Sequence, residues 1–277
     1  MKILLRSMLN GLIDAFYSDE KYIKVFFSRG KQNFGDVVTP VLLKKLSGKK
    51  VRYVGKPKYY KKTNLLAIGS ILHLSSKDSV VWGSGFMDAE KTCYEKPRKV
   101  LAVRGPKTRE MLLSQEVACP EVYGDPALLL PKIYLPEVSK KYELGIIPHY
   151  TDKDNKWLEQ FKHDEKIKII DVQNKNTLGF IDDILSCEKV ASSSLHGVIT
   201  ADAYGVPSVW IEFADVVNGF KFLDYFLSVK RLDDRPVRIV ESTGLEEIYS
   251  AFYDYRIDID LNKLLDSAPF PLNIESV

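Results

Sequence analysis

The residue types best suited to chemistry in this sequence lie at positions 192–197, which read Ser-Ser-Ser-Leu-His-Gly. A β-rich run ends at Ser192, and an apolar helical segment begins directly after the serines. Free backbone N–H groups at the start of that helix, beside Ser193 and Ser194, suit the binding of an anion. His196 lies at the same point and can move protons near neutral pH. The segment predicts anion binding beside a proton-transfer group, and the alternative is a histidine that only bonds a carbonyl.

Arg104 is a second candidate, in the run Val-Arg-Gly-Pro-Lys-Thr-Arg at 103–109. It ends a β-rich run, and Pro106 behind it marks the start of a helix. We expect its guanidinium to project into a cleft and to hold a carboxylate or phosphate by two parallel hydrogen bonds. A surface arginine that pairs with a neighbouring acid is the alternative.

Two acidic side chains also follow β-rich runs. Asp36 closes the run Asn-Phe-Gly-Asp at 33–36, where Gly35 permits a tight backbone path. Asp36 is interpreted either as the cap of the next helix or as the base for an acceptor hydroxyl. Asp125, between Gly124 and Pro126, is interpreted first as a helix cap and only second as a catalytic group.

Bare backbone follows two further apolar runs. Gly-Ser-Ile at 69–71 and Trp-Gly-Ser-Gly at 82–85 lie just beyond them. Ser70, Ser84 and the two glycines at 83 and 85 are therefore expected to face a ligand. Neither run matches the glycine pattern of a dinucleotide site.

Composition excludes several functional classes. Over 277 residues, 45% hydrophobic and 28% charged side chains indicate a globular protein. The net charge of +3 is small and the basic residues are scattered, so no nucleic-acid partner is expected. No apolar run reaches the roughly 18–20 residues that a membrane span requires. The cysteines at 93, 119 and 187 and the histidines lack metal-ligand spacing, so we expect no metal, no disulfide and a cytoplasmic location.

Residues 1–20 have the apolar spacing of an amphipathic helix. Packing against the body of the protein is favoured. The alternative is an interfacial helix that makes peripheral contact with the inner membrane face.

Beyond this segment, short apolar runs alternate with helical ones. The runs begin near residues 23, 51, 65, 80, 100, 144, 167, 190 and 208. This alternation predicts an α/β fold with two Rossmann-like lobes and largely parallel sheets. A segment rich in proline and charge at 131–141 is interpreted as the linker. It divides a first lobe, 1–135, on the acceptor side with part of the donor site, from a donor-binding lobe, 136–277.

Six segments, taken in order, resemble the polysaccharide pyruvyl transferase family. They are N-F-G-D at 33–36, G-S-I at 69–71, W-G-S-G at 82–85, V-R-G-P-K-T-R at 103–109, G-D-P-A at 124–127 and S-S-S-L-H-G-V-I-T-A-D-A-Y-G-V-P at 192–207. The resemblance implies an architecture like that of GT-B glycosyltransferases, with phosphoenolpyruvate as donor and no cofactor. It also implies transfer of pyruvate as a ketal onto two hydroxyls of a hexose in a lipid-linked or polymeric cell-surface glycan.

The family histidine falls on His196 and the family arginine on Arg104, while Ser194 stands where some relatives carry arginine. The predicted catalytic residues are His196, Asp36 and Arg104. The predicted substrate-binding residues are Asn33, Gly35, Ser70, Gly83, Ser84, Gly85, Arg104, Ser192, Ser193, Ser194, Leu195 and Gly197. Two other functions stay open on the sequence alone: a GT-B-type glycosyltransferase that uses a nucleotide sugar, and a non-catalytic module that binds sugar or phosphate.

Overall fold

The structure is a computed structural model that describes residues 17–30, 33–213 and 219–273. The helix expected over residues 1–20 lies, apart from its last four residues, outside these ranges. No helix within them is both long and apolar enough to cross a membrane.

The first lobe is built on a parallel sheet of five strands in the order β2-β1-β3-β4-β5. The strands are β1 (Tyr22–Phe26), β2 (Lys50–Tyr53), β3 (Asn64–Leu66), β4 (Ser79–Trp82) and β5 (Lys99–Ala102). Helix α1 (Phe34–Ser47) connects β1 to β2, and α2 (Pro106–Ser114) follows β5. Short 3-10 helices cover Pro57–Tyr59, Leu72–Leu74 and Pro126–Lys132.

A second parallel sheet of five strands, in the order β10-β9-β8-β6-β7, forms the second lobe. Its strands are β6 (Tyr142–Ile147), β7 (Ile167–Ile169), β8 (Cys187–Ser192), β9 (Ser208–Glu212) and β10 (Val237–Arg238). The helices are α3 (Thr177–Leu185), α4 (Leu195–Ala203), α5 (Phe220–Ser228), α6 (Leu245–Ser250) and α7 (Leu261–Asp266), with a 3-10 helix over Lys156–Phe161. The predicted fold class is confirmed, whereas the likeness to GT-B enzymes stays a prediction.

Burial explains why the strands read as continuous apolar runs. Residues 144–147 of β6 are all buried, because helices cover both faces of a parallel sheet. Helix α3 contributes Phe180, Ile181 and Ile184 to one of these faces.

The last described segment returns to the first lobe. Trp82 Nε1, at the end of β4, donates hydrogen bonds to the carbonyl of Leu264 (3.0 Å) and to Ser267 Oγ (3.1 Å). Phe270 packs edge-on against the same indole, with ring centroids 5.5 Å apart. Residues 264–270, which the sequence analysis assigned to the second lobe, therefore pack on the first sheet.

Candidate functional site

A cavity of about 450 Å³ lies between the two lobes, and we call it the interlobe cleft. It forms at the carboxyl ends of β1, β3, β6 and β8, where parallel α/β folds bind ligands. The first lobe contributes Phe26, Ser28, Gly30, Asn33, Asp36, Lys56, Gly69, Ser70, Ile71, His73, Leu74 and Met87. The second contributes His149, Tyr150, Ser194, Leu195, His196 and Lys221.

His196 is held at this cleft by the tight approach of α4 to its sheet. The helix begins at Leu195, so His196 lies in its first turn, and its residue is 8% exposed. A Cβ atom on Gly197 would lie 2.3 Å from Ser192 Oγ and 3.0 Å from Ile147 Cδ1. Gly197 therefore serves helix packing and not, as expected, substrate binding.

Asp125 faces the imidazole from the first lobe. Its side chain is fully buried, and Oδ1 accepts a hydrogen bond from the N–H of Ala127, so the predicted helix cap is confirmed. The other oxygen, Oδ2, lies 3.6 Å from His196 Nε2. Both of these atoms are buried, and neither has a hydrogen-bond partner among the described residues. The two groups are placed to form an ion pair whenever the imidazole is protonated.

Gly35 lies against the face of the same ring. A Cβ atom on Gly35 would lie 2.2 Å from His196 Cε1 and 2.3 Å from Nδ1. The first turn of α1 thus touches the imidazole, which is possible only without a side chain at position 35. This residue, expected to bind substrate, instead supports the position of His196.

Asp36 is not the cap of α1. Asn33 occupies that position, and its Oδ1 accepts a hydrogen bond from the N–H of Gly35 at 3.3 Å. The Asp36 carboxyl lines the interlobe cleft instead. Burial raises its pKa to about 6, although the nearby His196 and backbone hydrogen bonds from Ser28 and Asn33 act to lower it. A carboxyl that titrates near neutral pH beside an imidazole suits proton transfer.

The expectation that Arg104 projects into the cleft is wrong. Its side chain has no exposed surface, and Nε forms an ion pair with Asp224 Oδ2 at 3.0 Å. The other guanidinium nitrogens donate to Ser70 Oγ (2.7 Å) and to the carbonyl of Phe86 (2.6 Å). Arg104 therefore supports the cleft from beneath, because Ser70 is the only one of these partners that lines it.

Asp224 also joins the two lobes. It belongs to α5, and its carboxylate accepts hydrogen bonds from the N–H (2.9 Å) and the Oγ1 (2.7 Å) of Thr108 in α2. Gly105 permits the close approach, since a Cβ there would lie 1.8 Å from the Asp224 carbonyl oxygen. Helix α5 is thereby docked on the first lobe.

The run 82–85 offers no backbone to a ligand. Gly83 has a φ of +88°, and a Cβ there would lie 2.2 Å from Pro126 Cδ. Gly85 is approached by the Arg104 guanidinium, 2.6 Å from the position of its missing Cβ. Ser84 is buried and donates to the carbonyl of Gly69 at 2.8 Å. These residues make room for the chain's own segments, so their expected ligand contacts are corrected.

The serines before His196 divide into two groups. Ser192 Oγ donates to the backbone carbonyls of Ile147 (3.2 Å) and Ser194 (2.9 Å). Ser193 Oγ donates to Asp152 Oδ2 at 2.7 Å and accepts from the N–H of His149. Both hold the loop in place. Ser194 lines the cleft, so the residues predicted for the site that do reach the cleft are Asn33, Asp36, Ser70, Ser194, Leu195 and His196.

Sequence reasoning missed several residues that line the cleft. Lys221, at the start of α5, and His149 and Tyr150, which follow β6, belong to this group. His73 is another, and burial lowers its pKa. The position of His149 just beyond a strand was an available signal, whereas nothing in the local sequence marks Lys221.

The sequence profile of the polysaccharide pyruvyl transferase family matches residues 19–214. This range covers more than half of the chain and includes Asp36, Arg104, Asp125 and His196. The chain belongs to the polysaccharide pyruvyl transferase family. It is accordingly a pyruvyltransferase, and the predicted family is confirmed.

Two relatives illustrate the range of the family. An uncharacterized protein of Acanthamoeba polyphaga mimivirus is 32% identical over 207 residues, which cover 70% of this chain and 69% of that protein. The succinoglycan biosynthesis protein ExoV of Rhizobium meliloti is 26% identical over 197 residues, covering 68% of this chain and 60% of ExoV. The chain therefore spans less than two thirds of the length of ExoV.

Proposed function

We propose that this pyruvyltransferase moves the pyruvate unit of phosphoenolpyruvate onto two hydroxyls of a hexose and releases phosphate. The observation that supports this most is the setting of His196. Its imidazole lies between a buried carboxylate, Asp125, and the bare backbone of Gly35, close to a second carboxyl on Asp36. Such a group of acid and base side chains, at the junction of two lobes, suits a reaction that adds protons to one substrate and removes them from another.

In the first half of the reaction, protonated His196 gives its proton to the methylene carbon of the donor. The adjacent carbon, which carries the phosphate, becomes electrophilic. A sugar hydroxyl forms a C–O bond to it, and the hydroxyl proton passes to Asp36. Asp125 stabilises the imidazolium before the transfer, since an opposite charge within about 4–6 Å favours the charged form.

In the second half, the bond between this carbon and the phosphate oxygen breaks, and phosphate leaves with the electron pair. The second sugar hydroxyl bonds to the same carbon and closes the ketal. Its proton passes to the neutral imidazole, which restores the protonated His196. Asp36 releases its proton to the departing phosphate or to water, so donor and diol become ketal and phosphate without any other reactant.

The acceptor belongs to the same proposal. We assign it to the hexose of a lipid-linked or polymeric cell-surface glycan, in line with the family name and with the succinoglycan biosynthesis protein among the relatives. A cytoplasmic location is supported by the free thiols of Cys93, Cys119 and Cys187, because disulfides persist mainly in oxidising compartments. The scheme assigns no step to a metal or cofactor.

The test is phosphate release from phosphoenolpyruvate in the presence of hexose glycosides, with a galactoside and an N-acetylmannosaminide among them. Mass spectrometry of the acceptor should find a pyruvyl ketal, formed with loss of one water. Release of a nucleoside diphosphate from a sugar nucleotide, with no turnover of phosphoenolpyruvate, would contradict the proposal.

Gly35→Ala is expected to slow this reaction by about 100-fold, the effect of a displacement of about 1 Å at a reacting group. The new methyl group would overlap the His196 ring and push it away from Asp125. Initial rates of phosphate release measure the loss. Gly30→Ala is the matched control, because Gly30 lines the same cleft and a Cβ there meets no atom within 4 Å. Equal rates for the two variants would show that the contact with Gly35 does not position the imidazole.

Asp36 predicts the acidic side of the pH profile. As the base for an acceptor hydroxyl it must be ionised, so kcat/KM should rise with pH and level off above about pH 6. Asp36→Asn should remove this rise and lower kcat/KM by roughly 100-fold or more.

Stability should respond in the opposite direction. Because burial raises the pKa of Asp36, ionisation between about pH 4 and about pH 6 destabilises the folded state. Asp36→Asn should therefore be at least as stable as the natural protein at pH 8 in urea unfolding. An unchanged pH profile in this variant would rule Asp36 out as the base.

A further inference from the structure

We infer that Lys221 forms the subsite that binds the phosphate group of the donor. Lys221 and His196 line the same cleft, on helices α5 and α4 of the second lobe. The inference rests on the proposed function for the identity of the donor. The subsite itself requires only that a phosphate anion enters the cleft.

The ammonium group of Lys221 has no contact that neutralises it. The side chain is half-buried, and it makes no hydrogen bond or ion pair within the part of the chain that the structure describes. Arg104, the neighbouring cation, is already paired with Asp224 and has no exposed surface. Ser194 brings no charge to the cleft. Lys221 is thus the half-buried cation available to an anion bound beside His196.

Desolvation makes this position favourable for an anion. Burial lowers the pKa of Lys221, and the charge of Arg104 lowers it further, while Glu212 and Asp152 act in the opposite direction. An ammonium group that has lost part of its hydration interacts more strongly with a bound anion than an exposed one does. The lysine side chain binds phosphate as a point charge with three N–H donors.

Helix α5 holds Lys221 in place before any ligand arrives. Phe222, the next residue, stacks on Trp210 with ring centroids 4.5 Å apart and 11° between the planes. Asp224, one turn later, is hydrogen-bonded to Thr108 and paired with Arg104 across the lobes. A group held in this way loses less conformational entropy on binding. The buried Arg104–Asp224 pair therefore acts as a positioning device for Lys221.

The experiment is calorimetric titration with inorganic phosphate, which is the reaction's released product and needs no acceptor. Lys221→Met should weaken phosphate binding by about 10- to 100-fold, the usual worth of a hydrogen bond to a charged group. It should raise KM for phosphoenolpyruvate by a similar factor. Lys221→Arg should stay within about threefold of the natural protein, because it retains the charge.

Lys56→Met is the matched control, since Lys56 lines the same cleft but is exposed, where water and salt screen its charge. We expect less than about a threefold effect on phosphate binding. If Lys221→Met binds phosphate as the natural protein does, the subsite is wrong, whether or not pyruvate is transferred. If phosphate binding depends on Lys221 but phosphoenolpyruvate is never turned over, the proposed function fails and the subsite stands.

Discussion

His196→Ala should lower the turnover of phosphoenolpyruvate by about 100- to 10,000-fold, the range expected for loss of a general acid and base. In the proposed scheme the imidazole both delivers the proton to the donor and recovers one from the second hydroxyl. Nothing else within reach of Asp125 Oδ2 among the described residues can replace it, since that oxygen has no hydrogen-bond partner. Initial rates at saturating donor and acceptor measure the effect.

The fold of this variant should remain intact, which near-ultraviolet circular dichroism can verify. Asp125→Asn is the informative companion. An amide oxygen at this position can still cap the helix through Ala127, while the charge that faces Nε2 is lost. We expect a smaller reduction in turnover, about 10- to 100-fold. A folded His196→Ala variant with natural turnover would exclude the imidazole from the chemistry.

Arg104→Met should lower the free energy of unfolding by about 3–5 kcal/mol, the usual cost of removing one partner of a buried ion pair. The variant leaves Asp224 fully buried without its cation. Ser70 Oγ and the Phe86 carbonyl also lose their donors. Urea unfolding at pH 7 measures the change.

The double variant Arg104→Met/Asp224→Leu should recover part of this loss, because it removes both buried charges together. Lys162→Met is the matched control at an exposed pair, where the side chains of Lys162 and Glu159 are 53% and 60% exposed. It should change stability by less than about 1 kcal/mol. An Arg104→Met variant as stable as the natural protein, yet weak in donor binding, would restore the expectation of a guanidinium in the cleft.

The local elements were largely predictable because their signals are local. Helix α2 spans Pro106–Ser114 as predicted, since proline at its first position and the apolar spacing behind it are both visible in the sequence. The strand before His196 was placed correctly at its carboxyl end, Ser192. Helix α5 was missed, because the pattern search stopped at the strand before it.

The contacts of individual site residues were less predictable. Gly35 and His196 lie 161 positions apart in sequence, yet a Cβ on one would overlap the other. Gly85 was expected to face a ligand and instead accommodates Arg104. A glycine indicates that something approaches the backbone closely, but its type does not say whether the approaching group is a ligand or the protein itself.

The sequence by itself determined the family, the parallel α/β architecture and the place of His196 at the end of a strand, since these depend on residue order and periodicity over short segments. Only the tertiary structure decided which charges face the cleft. Arg104 is hidden because Asp224, 120 positions away, neutralises it across the lobes, and Lys221 lines the cleft because that same contact docks its helix. A buried charge requires a partner, and the choice of partner is made by the fold rather than by neighbours in the chain.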